Sequence, residues 1–230
     1  MNFFTSDSFP PHDPTRPSVS RRIPESTVRR LSHYLRSLEE LAREGGLTVS
    51  SEELAKRGQT TAAQVRKDLS HFGSFGKRGL GYQVEELGQR LRQILGVDRT
   101  WRVALIGAGR IGSALFAYPD FKVRGYDCVA VFDSDPAKIG LQWGNVTIQS
   151  SDEIEEVVRA RAVELAILAV PVSAAQDLAA RSVAAGVKGM LNFAPIRLRL
   201  PKDVHVEDVS LVMELEALSF AITQSGGVPE

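Results

Sequence analysis

The sequence contains a single cysteine and no long apolar run, and both absences narrow the classes of protein to which it can belong. One cysteine, Cys128, excludes a disulfide framework within the chain, and its apolar neighbours are typical of a buried strand. No segment approaches the roughly 18 consecutive apolar residues of a membrane span. Residues 1–20 are rich in proline and lack the apolar core of a signal peptide. We therefore expect a cytoplasmic protein without a membrane partner, whose residues 1–20 form a disordered arm.

The formal net charge is zero, but the positive and negative residues are unevenly distributed along the chain. Residues 1–100 contain 16 Lys and Arg against 12 Asp and Glu, a formal charge of +4, and residues 101–230 contain 12 against 16, a charge of −4. A positive first half is compatible with a nucleic-acid surface, although solvated helix surfaces alone produce similar asymmetry.

Histidine is scarce, which bears on catalysis. Of the four histidines only His205 lies beyond residue 100, where a dehydrogenase would need a residue for proton transfer. The sequence shows no Ser/His/Asp set and no Cys/His spacing of a metal site. We therefore expect neither an enzyme nor a metal centre.

Residues 21–98 show the pattern of a small helical domain. Apolar residues recur at three- and four-residue spacing over 28–41, which predicts a helix that ends at Gly45. Ser50 and Thr61 are each followed three residues later by Glu or Gln, a spacing that predicts N-caps with a capping box for two short helices. A fourth amphipathic helix follows, and the domain boundary is expected near residue 98.

The third helix and the segment after it carry the candidate DNA-binding residues. The inward apolar stripe of this helix leaves Arg66, Lys67 and Ser70 facing outward as hydrogen-bond donors. Beyond it, glycines alternate with apolar residues, which predicts two short strands around a tip that contains Lys77 and Arg78. Helix, turn, helix and basic hairpin together predict a winged helix-turn-helix whose third helix reads base edges or phosphates and whose wing enters a minor groove.

Residues 99–209 alternate between strand and helix patterns, which predicts an α/β domain with a Rossmann-like parallel sheet. Strands are expected at 103–107, 128–133, 145–148, 163–170, 188–193 and 204–209. The remaining residues, 210–230, form a terminal helix and tail. The apolar stripe of this helix comprises Leu211, Val212, Leu215, Leu218 and Ile222. Such a stripe packs either on its own sheet or on a second subunit.

A glycine-rich fingerprint follows the first strand of this domain directly. The loop comprises Gly107, Ala108, Gly109, Arg110, Ile111 and Gly112. Gly107 permits the tight turn, Gly109 lets the backbone approach a pyrophosphate, and Gly112 lets the helix pack closely on the strand. The phosphates would then meet amide donors at the start of a helix.

An acid, Asp133, closes the second strand about twenty residues further on, as the dinucleotide fingerprint requires. Its carboxylate can accept both adenosine ribose hydroxyls and would repel a 2′-phosphate, which favours NAD(H) over NADP(H). Alternatively, Asp133 bonds the turn at residues 134–136. Arg110 has three open interpretations, because it can cover the pyrophosphate, point into an interdomain cleft, or be solvated.

Seven stretches of the sequence resemble the Rex family of redox-sensing bacterial transcriptional repressors. They lie at 29–36, 65–73, 76–82, 107–112, 132–136, 170–176 (Val170-Pro171 and Ala174-Ala-Gln176) and 189–195, within a similarity that covers 24–222. The resemblance implies a homodimer in which each terminal helix is domain-swapped beneath the partner's nucleotide domain. It further implies that NADH closes the dimer and releases DNA, whereas NAD+ competes weakly and permits DNA binding.

The resemblance also assigns roles to single residues. It implies a nicotinamide pocket at Val170, Pro171, Asn192 and Phe193 and a further cofactor contact at Asp135 in the acidic turn. It also implies a DNA contact at Arg36 and switch positions at Arg110, Tyr118 and Ser210. One position departs from the family pattern: Ser210 stands where relatives commonly have an acid that pairs across the dimer. Either Glu207 or Asp208 substitutes for that acid, or the pairing is absent.

These observations predict a repressor that binds double-stranded operator DNA as a dimer when NADH is low and leaves it when NADH accumulates. The alternative is an NAD-dependent oxidoreductase with a regulatory winged helix. A third interpretation is a module that binds a nucleoside phosphate or CoA and has no DNA function.

Overall fold

A computed structural model describes residues 23–76 and 80–225 of the chain. The chain divides into two compact units, one ending at Arg99 and the other beginning at Thr100. The predicted disordered arm over residues 1–20, the wing tip with Lys77 and Arg78, and residues 226–230 lie outside the described residues. Within the described part of the chain, no helix is both long and apolar enough to cross a membrane.

The first unit is built from helices around one apolar core. Its helices are α1 Glu25–Arg43, α2 Ser51–Arg57, α3 Ala62–Ser70 and α4 Val84–Leu95. The hydroxyls of Ser50 and Thr61 accept hydrogen bonds from the backbone N–H groups of Glu53 and Gln64, as the capping-box spacing predicts. α4 ends at Gly96, which adopts the left-handed conformation that glycine tolerates best. Leucines from α1, α3 and α4, with Val65, fill the core.

The wing differs from its prediction. Only the second predicted strand forms, and it pairs with the segment before α2: β1 Thr48–Val49 lies antiparallel to β2 Tyr82–Gln83. The first predicted strand, around Phe75, is irregular. Gly76 explains the difference, because it has a φ of +75° and a Cβ there would lie 2.4 Å from the Gly81 carbonyl oxygen. The two arms approach too closely at this glycine for a regular pleated ladder.

The second unit contains a seven-stranded sheet in the order β5-β6-β4-β3-β7-β8-β9. The strands are β3 Trp101–Ile106, β4 Tyr126–Asp133, β5 Gln142–Trp143, β6 Val146–Ser150, β7 Leu165–Leu168, β8 Gly189–Asn192 and β9 His205–Asp208. β5, which the sequence pattern did not predict, is antiparallel to β6, and the other neighbours are parallel. The six parallel strands follow the Rossmann order, with the topological switch point between β3 and β7.

The helices of this unit cover the sheet unequally. They are α5 Arg110–Phe116, α6 Pro119–Val123, α7 Ile154–Ala160, α8 Val172–Ala185 and α9 Leu211–Ser225, with a 3₁₀ turn at Ser151–Glu153. α7 and α8 pack on one face over a core that includes Ile106, Phe132 and Leu168. On the opposite face, a smaller cluster around Leu105 and Val131 packs with Phe116 of α5.

Candidate nucleotide site and DNA-binding surface

The loop between β3 and α5 lies at the switch point and has two positions that only glycine fits. Gly107 has a φ of +102°, and a Cβ there would lie 2.3 Å from the Ala169 carbonyl oxygen at the end of β7. At Gly112, a Cβ would lie 2.0 Å from the Gly107 carbonyl oxygen. The first glycine therefore lets the loop after β3 pass close to the backbone after β7, and the second lets α5 pack against the loop.

Gly109 is different, because, apart from its neighbours along the chain, no atom of the described residues lies within 4 Å of a Cβ built on it. Its φ of −85° is one that any residue adopts. The fold of the chain itself thus gives no reason for glycine here. Open space above a backbone without a side chain is what close approach of a pyrophosphate requires, so the loop fits the phosphate part of a dinucleotide.

Asp133 ends β4 beside this loop and is 9% exposed. One carboxylate oxygen accepts the Ala108 N–H at 2.8 Å, and the other accepts the Asp135 N–H at 2.9 Å. Burial raises the pKa of Asp133, but these hydrogen bonds and the ammonium of Lys138 outweigh it, and the net pKa is lowered. Asp133 therefore remains ionised.

The turn bond to Asp135 that the sequence left as an alternative for Asp133 is present, but it does not use all of the carboxylate. An ionised carboxyl group offers about four acceptor positions, and three of them are taken by Ala108, Asp135 and Lys138. In the described contacts, one acceptor position remains open. The carboxylate of Asp135 accepts the Ala137 N–H at 3.0 Å.

Lys138 is a residue that sequence reasoning missed. Its ammonium lies 3.1 Å from the Asp133 carboxylate and 3.8 Å from that of Asp135. Lys138 follows the acidic turn by a few residues. Because a single lysine in a loop belongs to no periodic pattern, nothing in the sequence singles it out. Its position means that Asp133 does not act as an isolated negative charge toward a ligand.

The four residues assigned to a nicotinamide pocket follow β7 and β8 at the same carboxyl edge of the sheet. Val170 is half-buried, and Pro171 precedes the first turn of α8. The Phe193 N–H donates to the Leu168 carbonyl oxygen at 2.9 Å, which holds the exit of β8 beside that of β7. Asn192 is fully buried, and its amide bonds only to the chain in the described contacts.

The three switch residues lie at separate places in this unit. Arg110 is the exposed first residue of α5. Tyr118 is exposed, and its ring meets the edge of Phe121 with the ring centroids 5.4 Å apart. The Ser210 hydroxyl accepts the Met213 N–H at 3.3 Å and thus bonds the first turn of α9.

An apolar groove of about 620 Å³ runs along the sheet face opposite α7 and α8. Leu105, Ile167 and Leu191 contribute to its floor, and Phe116 and Tyr118 line one side. Such a groove on a sheet face is a candidate for covering by another apolar element.

α9 is an apolar helix whose side chains from Leu211 to Gln224 are all exposed. Its large hydrophobic residues are between 59% and 71% exposed, among them Leu215 and Leu218. The alternative in which this helix packs on its own sheet is therefore not what the structure shows.

The outward face of α3 in the first unit matches its prediction. Arg66, Lys67 and Ser70 are exposed. The Arg66 guanidinium lies 3.3 Å from the carboxylate of Glu52 on α2, an exposed pair that water and salt weaken. Arg36, on α1, is exposed and lies 3.7 Å from the Glu40 carboxylate.

A buried polar network joins α3 to α1, and the sequence pattern did not reveal it. Asp68 is 1% exposed and accepts two hydrogen bonds from Arg30, at 2.6 and 2.7 Å. Gln64 donates to Asp68 at 2.7 Å and Tyr34 at 3.0 Å. Burial raises the pKa of Asp68, but these donors outweigh it and the net pKa is lowered. The network fixes the rotation of α3 about its own axis, and hence the direction of its outward cations.

Replacing Asp68 with asparagine should destabilise the first unit by about 3 kcal/mol, the lower end for breaking a buried ion pair, because Arg30 keeps some contact with water. Since folding lowers the pKa of Asp68, its contribution is present above the unfolded value of 3.8 and is lost as the pH falls through and below it. Hydrogen exchange of α1 and α3 in the full-length protein checks both effects, at pH 7 for the substitution and from about pH 5 down to about pH 2 for the pH dependence. Glu52→Gln, in an exposed pair, is the control and should leave the exchange unchanged.

Two family descriptions match the two units. A family described as "Putative DNA-binding protein N-terminus" matches residues 22–70, and one described as "CoA binding domain" matches residues 98–196. A helix-turn-helix unit followed by a Rossmann unit with an open glycine loop defines the class as a transcriptional regulator with a nucleotide-binding fold.

Similar proteins identify the family within this class. The redox-sensing transcriptional repressor Rex of Carboxydothermus hydrogenoformans is 51% identical over 201 residues, which are 87% of this chain and 97% of the relative. Rex 1 of Thermotoga maritima is 42% identical over 207 residues, 90% of this chain and 99% of the relative. The chain belongs to the Rex family of redox-sensing transcriptional repressors. This confirms the predicted repressor in preference to the oxidoreductase.

Solved structures of a family member agree in fold. RSP, described as a Rex-family repressor, matches in its complex with NAD+ and operator DNA with a TM-score of 0.85 and 37% identity, over 90% of this chain and 95% of RSP. Its complex with NADH matches with a TM-score of 0.81 and 35% identity, over 90% and 97% of the two chains.

Proposed function

We propose that this protein binds double-stranded operator DNA as a homodimer when NADH is low and is released when NADH accumulates, in the cytoplasm where that DNA lies. The observation that carries the proposal is the open space above Gly109 beside the ionised Asp133, in a chain whose other unit presents Arg66 and Lys67. RSP, which has the same fold, forms complexes with NAD+ and operator DNA and with NADH.

The nucleotide would lie across the switch point. The pyrophosphate approaches Gly109 and the amides of Arg110 and Ile111, and the adenosine ribose donates to the free acceptor position of Asp133. Ala108 contributes by holding Asp133 in place, since its N–H donates to that carboxylate. The nicotinamide lies toward Val170, Pro171 and Phe193. Asn192 supports this pocket through the turn that it holds, since its amide is already bonded to the chain. NADH and NAD+ share every atom outside the reduced ring, so discrimination depends on ring charge and planarity near Phe193.

The DNA would lie on the outward face of α3. Arg66, Lys67 and Ser70 face a major groove, and cations on such a helix contribute phosphate and base-edge contacts. Lys77 and Arg78 at the wing tip would enter the adjacent minor groove, and Arg36 would add a contact from α1. Because phosphate contacts release counterions, the affinity should fall steeply as salt rises.

The dimer would form by exchange of α9 between two copies of the chain. Each exposed α9 needs an apolar surface, and each chain offers an apolar groove on its sheet whose sides include Tyr118. A second copy is the occupant that supplies a matching helix without any further protein. A swap of this kind makes the interface self-complementary and gives the dimer a two-fold axis.

NADH acts on this dimer only through its difference in affinity between two arrangements of the DNA-binding units. Moving the mixture from 1:99 to 99:1 requires about 5.5 kcal/mol of differential binding, a 10⁴-fold ratio of affinities. Because linkage is reciprocal, operator DNA should weaken NADH binding by the same factor by which NADH weakens DNA binding.

One titration tests the proposal. A duplex selected by the protein from a random library without nucleotide serves as the operator probe, and its anisotropy is followed at fixed salt with NADH, NAD+ or NADPH. The wild type should release the duplex with NADH, and much less with NAD+ or NADPH. Asp133→Ala should still bind DNA but lose the NADH response, whereas Arg66→Ala should lose DNA binding itself.

Three results contradict the proposal in different ways. DNA occupancy that is indifferent to NADH removes the sensing role. A normal NADH response in Asp133→Ala removes the ribose assignment. Turnover of an added alcohol or aldehyde substrate, seen as a change in NADH absorbance, indicates an oxidoreductase instead.

A further inference from the structure

Asn192 is a junction between two parts of the second unit. It is fully buried at the end of β8. Its side-chain oxygen accepts the Ala194 N–H at 3.0 Å, and its NH₂ group donates to the Ile196 carbonyl oxygen at 2.9 Å and to an Asp208 carboxylate oxygen at 2.8 Å. Its main-chain oxygen accepts the Val209 N–H at 2.8 Å. All the hydrogen-bonding capacity of its side-chain NH₂ group is thus shared between the turn after β8 and the end of β9.

The two partners of this junction lead to different functional regions. The turn begins at Phe193, whose N–H bonds to Leu168 at the carboxyl edge of the sheet, where the nucleotide site lies. Asp208 is the last residue of β9 and is followed, two residues later, by Ser210, which bonds the first turn of α9 through the Met213 N–H. One buried amide therefore lies between the nucleotide edge and the base of the apolar helix.

The chain segment that connects β8 to β9 is bonded to α8 near its middle. Gln176 on α8 donates to the Arg199 carbonyl oxygen at 3.1 Å and accepts the Arg199 N–H at 2.8 Å. This reciprocal pair holds the connection between β8 and β9 to α8. The pair therefore resists the transmission of a displacement from the turn after β8 through the connecting segment. The hydrogen bond between Asn192 and Asp208 transmits the same displacement directly from β8 to the neighbouring strand β9.

From this arrangement we infer that Asp208 is a positioning residue that couples the nucleotide site to α9 through its hydrogen bond with Asn192. The inference rests on the proposed function and adds a residue to it. If a reduced nicotinamide displaces the turn at Phe193, the Asn192 amide follows, because leaving a buried donor unpaired is costly. Asp208 follows the amide, and the start of α9 moves with it. A second copy of the chain that holds α9 would experience this movement.

The experiment measures the coupling factor, which is the ratio of NADH dissociation constants with and without a saturating selected duplex. Full-length wild type, Asp208→Ala and Asp208→Asn are compared at equal salt. Alanine removes the acceptor, whereas asparagine keeps a carbonyl oxygen in the same place and removes only the charge. Asp208→Ala should reduce the coupling factor about tenfold, within the usual range of such factors. Its NADH affinity without DNA should stay within about twofold of wild type, and Asp208→Asn should retain the coupling.

The outcomes separate this inference from the proposed function. A wild type without coupling contradicts the proposed function itself. A coupled wild type with an equally coupled Asp208→Ala overturns only the inference. Equal loss in both variants also overturns it, because the charge of Asp208, and not its bond to Asn192, would then matter. A merely structural role would weaken NADH binding both with and without the duplex and leave the coupling factor unchanged, which the same dissociation constants reveal.

Discussion

Replacing Gly109 with alanine should abolish the response to NADH and leave the protein folded and bound to its operator. Beyond its chain neighbours, a methyl group at this position meets no atom within 4 Å in the part of the chain that the structure describes, and the backbone there has an ordinary φ of −85°. The same methyl group occupies the space that the pyrophosphate needs. Overpacking of about 3 kcal/mol would weaken NADH binding about 100-fold. The result is a repressor that stays on DNA at NADH concentrations that release the wild type.

Gly112→Ala is the matched comparison for this variant. It adds the same methyl group three residues later, but there the Cβ would lie 2.0 Å from the Gly107 carbonyl oxygen. We expect it to lower both NADH affinity and the stability of the nucleotide-binding unit. The fluorescence of Trp101 and Trp143, which both belong to that unit, reports its unfolding. If Gly109→Ala binds NADH like the wild type, the pyrophosphate does not lie above this loop.

The sequence predicted most of the fold because its strong signals are local. The glycine fingerprint, the N-caps at Ser50 and Thr61 and the alternating strands each depend on residues close together in the chain. The strand β5 was missed because two residues, Gln142 and Trp143, carry no periodicity, and their pairing with β6 depends on the turn between them. The prediction of a wing strand at Phe75 was wrong, because the close approach of Gly76 to Gly81 depends on the three-dimensional fold and leaves no pattern in the sequence.

The candidate site was predictable to the extent that its residues follow strands. Asp133 closes a strand, and its place beside the loop follows from the parallel sheet. Asp68 could not be recognised, because a charged residue on an amphipathic helix is normally solvated, and only the position of Arg30 on α1 makes it buried. Likewise, the hydrogen bond of Asn192 joins it to Asp208 of β9, sixteen residues later in the chain, and the sequence pattern gives no signal for it.

Replacing Leu218 with aspartate should convert the protein into a monomer that no longer holds its operator. Leu218 lies in the apolar stripe of α9 and is 59% exposed within its own chain, so the change removes little of the packing that the single chain makes. In the proposed dimer the same side chain enters the partner's groove, where an unpaired charge is strongly unfavourable. The fold should therefore survive while dimerisation does not.

The loss of DNA affinity should be large, because a dimer binds two half-sites and the second contact is intramolecular. Losing that linkage costs about 10²- to 10⁴-fold in affinity without any change in the DNA-binding unit. Light scattering after gel filtration measures the mass, and anisotropy of the selected duplex measures binding. Glu216→Gln, a change on the same helix that leaves the stripe intact, should remain dimeric. Leu191→Asp should reproduce the monomer from the groove side, because Leu191 lines the groove. A dimeric Leu218→Asp protein with normal DNA binding would show that α9 is not the interface.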